Sequence, residues 1–83
     1  MVKGNKYRRN EAGIAILSRN IRKYRGIAGL TQTDLAGKLD IDYAYVGRIE
    51  RGVGNPTVSM IFDIAAALNV KPAQLVEKEE EAG

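Results

Sequence analysis

Leu39 and Asp42 are separated by only Asp40 and Ile41, and on each side of that gap the apolar residues fall at helical spacing. Gln32 to Leu39 carries Leu35, Ala36 and Leu39 on one face. The stretch that Asp42 opens as a cap carries Val46 and Ile49, and Gly52 marks its end. An isolated helix shorter than about 12–15 residues is marginal in water, so neither stretch stands alone. The tight connection makes them pack on one another and cross steeply. A steep crossing needs a small side chain where the backbones approach, and Ala36 supplies it. Ile41, Val46 and Ile49 then pin the angle.

The flanking sequence supplies the rest of a core. Ile14, Leu17, Ile21 and Tyr24 recur on one face, which predicts a first helix from about Glu11 to Gly26. Gly29 is a left-handed stop before Leu30. Thr31 caps the second helix, with Asp34 three residues on as a shortened capping box. Gly54-Asn55-Pro56 is a loop. Thr57 caps a fourth helix with the stripe Val58, Ile61, Ile64, Ala65 and Leu68, and Asn69 ends it. Pro72 suits the first turn of a fifth helix that turns Leu75 and Val76 inward. No alternating strand pattern and no internal repeat occurs. The expectation is an all-α, compact five-helix domain over residues 11–77. A flexible basic arm, 1–10, precedes it, and an acidic frayed tail, 78–83, follows it.

Composition removes several kinds of function. With 83 residues the chain holds one domain and a modest core, leaving little room for a deep cleft. It has no Cys and no His, hence no disulfides, no thiolate metal site and no imidazole base. Asp40 and Asp42 lack the ligand set of a calcium loop. Gly52-Val53-Gly54 is not followed by the Lys-Ser/Thr of a phosphate loop. Thr31 and Thr57 are better explained as caps than as nucleophiles. No catalytic residue, metal or cofactor is expected. No apolar run approaches the roughly 20 residues of a membrane span, and no apolar segment follows the basic N-terminus, so a cytoplasmic protein is expected.

The charge is unevenly spread. Residues 1–56 carry eleven basic residues against five acidic ones, a net of +6, whereas residues 57–83 carry two against five, a net of −3. That polarity suits a polyanion at the first end, although chance asymmetry in a small protein is an equal reading.

Two short helices joined by a tight turn are the elements of a helix-turn-helix. Burying Val46 and Ile49 leaves Tyr43, Ala44, Gly47, Arg48 and Arg51 outside. Around this core stand Ile21-Arg22 with Arg25, Gly29-Leu30-Thr31-Gln32, Leu35-Ala36, Leu39, and Tyr45-Val46 with Arg48-Ile49-Glu50-Arg51-Gly52. Asn55-Pro56-Thr57 and Ile64-Ala65-Ala67-Leu68 complete an ordered set. From Leu17 to Leu75 the chain resembles the lambda-repressor-like (Cro/repressor, xenobiotic-response-element type) helix-turn-helix domains. The resemblance implies a five-helix lambda-repressor-like fold with its helix-turn-helix at helices 2 and 3, helix 3 entering the major groove of double-stranded DNA. It implies Gln32 at a phosphate, Tyr43, Ala44 and Arg48 at base edges, and Arg51 and Asn55 near the backbone. It also implies an ion pair between Arg25 and Glu50, and a homodimer that regulates transcription, mostly from paired half-sites. An antitoxin or restriction-modification controller, with a toxin or regulator as protein partner, is the alternative.

The residues agree with that implication and leave some alternatives open. Arg48 can hold guanine bidentately, worth about 1–3 kcal/mol of discrimination. Gly47 costs roughly 1 kcal/mol of helix stability against Ala, offset by close backbone approach to DNA or simply tolerated on an exposed face. Tyr45 either packs beside helix 2 or touches a phosphate. Arg19 and Arg22 are solvated charges or phosphate contacts, and Lys38 touches a phosphate or nothing. Lys3, Lys6, Tyr7, Arg8 and Arg9 track a groove or remain a solvated tail. Leu75 and Val76 form a self-association patch or complete the monomer core. Asp40 stands where the family usually has Gly, which predicts a strained left-handed residue.

Overall fold

The computed structural model describes residues 8–79. Its elements are α1 (Glu11–Ile27), α2 (Gln32–Leu39), α3 (Tyr43–Glu50), α4 (Val58–Leu68) and α5 (Pro72–Val76). No strand occurs among the described residues.

Each helix start has a local cause. Thr31 Oγ1 accepts from the Asp34 N–H at 3.0 Å and Asp34 accepts from the Thr31 N–H at 2.9 Å, a complete capping box. The Thr31 backbone N–H is the main reason the Asp34 carboxyl sits below its ordinary pKa. Thr57 Oγ1 accepts from the Met60 N–H at 3.1 Å. Asp42 caps α3 only loosely, at 3.5 Å from the Ala44 N–H. Asn10, read from the sequence as the end of an arm, caps α1 by accepting from the Gly13 N–H at 2.8 Å. In α5 Pro72 occupies the first turn, and the side chain of Gln74 accepts from the Lys71 N–H at 2.9 Å.

The four longer helices stop alike. Gly29, Asp40, Gly52 and Asn69 have φ of 73°, 54°, 75° and 58°. The next residue folds back each time: Leu30 N–H to Arg25 O, Ile41 to Ala36, Val53 to Arg48 and Val70 to Ala65, all at 3.0–3.1 Å. This is the Schellman closure, normally sealed by an apolar contact from the residue that folds back. Leu30, Ile41 and Val70 make that contact by packing against the core. Val53 is 49% exposed and does not.

Leu17, Ile21, Leu35, Ala36, Val46, Ile49, Ile64, Ala65, Leu68 and Leu75 form one buried cluster. α1 packs against α3, α4 and α5, and α2 packs against α3 and α4. Leu75 is completely buried, so it belongs to the monomer core. Two expectations about the stripes are corrected. Val76 is 54% exposed, because one residue beyond Leu75 turns its side chain about 100° away. Val58 is 69% exposed; it is the first residue of α4 and precedes the turn that meets the core. Among the described residues no helix is long and apolar enough to cross a membrane.

Candidate nucleic-acid interface

The α2–α3 crossing presents one side of α3 to solvent. Val46, Ile49 and Glu50 are buried, whereas Tyr43, Ala44, Arg48 and Arg51 are exposed. Asn55 is exposed just beyond. Positions 43, 44, 48 and 51 share a face because steps of three and four residues return to the same side of a helix. Tyr45 is half-buried and packs against the core. Lys38 is exposed on α2.

Glu50 fixes how this face is held. Its carboxylate accepts from Arg25 Nε at 2.6 Å and Nη2 at 3.0 Å, and from Gln32 Nε2 at 2.9 Å. Arg25 Nη1 also donates to Leu30 O at 2.9 Å. One buried carboxylate therefore joins α1, the first turn of α2 and the last turn of α3. The hydrogen bond to Glu50 raises the Arg25 guanidinium above its ordinary pKa. Gln32, expected at a phosphate, has one amide N–H committed to Glu50; its second amide N–H is the donor that remains.

Gly47 lies on the same face, between Tyr43 and Arg51, with the Arg51 side chain folded over it. It is buried, and a Cβ built on it would lie 3.0 Å from Arg51 Nη1. Arg51 folds back across α3 into the space that the missing side chain leaves. The glycine thus makes room for an arginine.

The end of α3 is gripped by polar residues that lie far away in sequence. The single hydroxyl proton of Ser18 is shared between Ile14 O and Ile49 O, each 2.8 Å from Oγ. Arg22 is exposed, and its Nη1 donates to Glu50 O. Arg9 Nη1 donates to Val53 O at 2.8 Å and Gly54 O at 3.3 Å, while its Nη2 donates to Gly52 O at 2.8 Å. Arg9 is paired in turn with Glu11 at 2.8 Å. Asn20 does the same for α5, donating to Leu75 O and Glu77 O at 2.9 Å each. Sequence reasoning missed Ser18 and Asn20, although both interrupt or border the apolar stripe of α1.

Arg19, Arg22 and Arg51 line a hollow of about 310 Å³ between α1 and the end of α3. Arg19 is exposed, and so is Arg8. Lys3, Lys6 and Tyr7 lie outside the described residues. Glu79 of the acidic tail pairs with Lys23 on α1. Among the described residues no cluster of acidic side chains is arranged to hold a metal.

Chemically, the α3 face offers one forked guanidinium at Arg48, a second at Arg51, a phenol at Tyr43 and a small methyl at Ala44. Such forks match planar acceptor pairs and phosphate oxygens.

A family model described as helix-turn-helix matches residues 21–75. The control protein C.SmaI of Serratia marcescens is 36% identical over 64 residues, covering 77% of this chain and 76% of that protein. Among solved structures, the hypothetical transcription factor NHTF from Neisseria has a TM-score of 0.78 at 35% identity, covering 84% of this chain and 82% of that one. The restriction-modification controller protein C.AhdI from Aeromonas hydrophila has a TM-score of 0.73 at 34% identity, covering 77% of this chain and 97% of that one.

Proposed function

The chain belongs to the helix-turn-helix family, and from that premise we propose that it is a DNA-binding transcriptional regulator that lays α3 in the major groove. One observation carries this: Tyr43, Ala44, Arg48 and Arg51 are exposed together on a helix whose opposite side is locked by Glu50. Arg48, with Tyr43 and Ala44, reads base edges. Arg51, Asn55, Tyr45 and the free amide N–H of Gln32 meet the backbone. Gly47 contributes by admitting the Arg51 side chain, which lies over it. No catalytic step, metal or cofactor is part of this function. Work on DNA accords with a place in the cytoplasm.

One eight-residue helix reads only a few base pairs. A homodimer on a near-palindromic site doubles that reading, with α3 and its copy about 34 Å apart. Exposed apolar residues that favour self-association are Val58 and Phe62 of α4, 69% and 57% exposed one helical turn apart, and Val76 of α5, 54% exposed.

A more specific reading is control of a restriction-modification gene pair, since C.AhdI, at 34% identity, is named as a restriction-modification controller and C.SmaI, at 36%, as a control protein. A gene pair of that kind beside this gene supports it, and so does binding to the promoter of that pair. An additional protein partner, toxin or regulator, belongs to the antitoxin alternative.

Selection of bound duplexes from a random pool tests the main reading. The expected result is a symmetric site with two half-sites one helical turn apart. Binding without sequence preference, or with a flat response to salt, contradicts it.

A further inference from the structure

The loop after α3 is closed from two sides. Its amides turn inward: Gly52 N–H donates to Ile49 O at 3.1 Å, Val53 N–H to Arg48 O at 3.0 Å and Gly54 N–H to Arg48 O at 3.1 Å. Its three carbonyls turn the other way, and the single guanidinium of Arg9 takes all three. This is the helix stop whose apolar residue, Val53, fails to reach the core. Arg9 therefore stands where the other three stops have a hydrophobic seal. The loop it holds joins Arg51 to Asn55, and Arg9 lies outside the residues that the family model matches.

We propose that Arg9 is a positioning residue for the DNA-binding face: it fixes loop 52–54 and, through it, the approach of Arg51 and Asn55 to the DNA backbone. The role rests on the DNA-binding function proposed above. Arg9 itself stays off the DNA, because both its terminal nitrogens are spent on the loop and Nε is spent on Glu11. A lysine keeps the charge but has a single nitrogen and cannot span three successive carbonyls.

The test uses the duplex selected by the wild-type chain. Affinity is measured against salt concentration for wild type, Arg9→Ala and Arg9→Lys, with a thermal melt of each. The same substitutions are repeated in a chain already carrying Arg51→Ala and Asn55→Ala. Arg9→Ala should bind about tenfold more weakly, the scale of one lost charge-assisted bond, with a salt slope lowered by no more than Arg51→Ala lowers it. Arg9→Lys should lose most of the same affinity, and it carries the comparison if Arg9→Ala does not fold. In the Arg51→Ala/Asn55→Ala background the loss should nearly vanish, because coupled sites are non-additive. Undiminished affinity of Arg9→Lys overturns the proposal, as does a loss that persists in that background. A salt slope that Arg9→Ala lowers by a further one or so in the Arg51→Ala/Asn55→Ala background shows Arg9 itself on a phosphate and also overturns it. Failure of the wild-type chain to select any duplex overturns the proposed function and this role together. Selective wild-type binding with Arg9→Ala unchanged overturns this role alone.

Discussion

Arg25 and Glu50 form a two-pronged ion pair in which the carboxylate is 2% exposed and the guanidinium 21%. Removing one partner leaves a charge with no compensation in a nearly dry place. Glu50→Ala should therefore lower stability by about 3–5 kcal/mol, read from a melting curve. A joint Arg25→Met, Glu50→Leu replacement should lose much less, since apolar pairs often substitute for buried ion pairs. Equal melting of Glu50→Ala and wild type contradicts the structural role.

Gly47 gives a prediction in which stability and binding move in opposite directions. Gly47→Ala gains helix propensity, roughly 1 kcal/mol, and its Cβ meets only the flexible end of Arg51. The melting temperature should rise. DNA affinity should fall, because Arg51 is pushed from its resting place. A variant that is both more stable and equally tight shows that the Arg51 placement is idle.

Arg48 and Arg51 should differ in kind. Arg48→Ala should cost about 1–3 kcal/mol on the preferred site and flatten preference at one base pair. Arg51→Ala should weaken all sequences alike and lower the salt slope by about one. Parallel titrations on preferred and scrambled duplexes separate the two.

Self-association is tested on α4. Phe62→Asp should abolish the dimer in ultracentrifugation and leave helicity intact, since Phe62 is exposed. Leu75→Asp should unfold the chain instead, because Leu75 is wholly buried. A dimer that survives Phe62→Asp moves the interface elsewhere.

Acid stability follows from three carboxyl groups held below their ordinary pKa: Asp34 by Thr31, Glu11 by Arg9 and Glu79 by Lys23. A lowered folded-state pKa contributes stability above the unfolded value, about 4, and that contribution disappears as pH falls through the folded value. Melting temperature should decline below about pH 4. Asp34→Asn should show a shallower acid decline than wild type.

The elements were legible in the sequence because their causes are local. Thr31 with Asp34, Thr57 and Gly29 act within a few residues, and the left-handed Asp40 follows from the resemblance, which puts it where the family usually has Gly. Gly47 was harder, since its reason is a side chain four residues on that folds back. Arg9, Ser18, Asn20 and Arg22 were not legible. Each donates to a backbone carbonyl 31 to 57 residues away or, for Arg9 and Arg22, 28 to 45. A carbonyl leaves no mark of residue type in a sequence. The polar side chains of Ser18 and Asn20 beside an apolar stripe were the only trace. Val58 and Val76 misled for the opposite reason: both are apolar, but neither end position reaches the core.

The most direct test of the account is a map of backbone amide shifts as the selected duplex is titrated into labelled protein. The largest changes should cluster at the start of α2, along Tyr43 to Arg51 and at Asn55, with α4 and α5 little affected by the DNA itself. Changes confined to α4 and α5, with the α3 face silent, would contradict it.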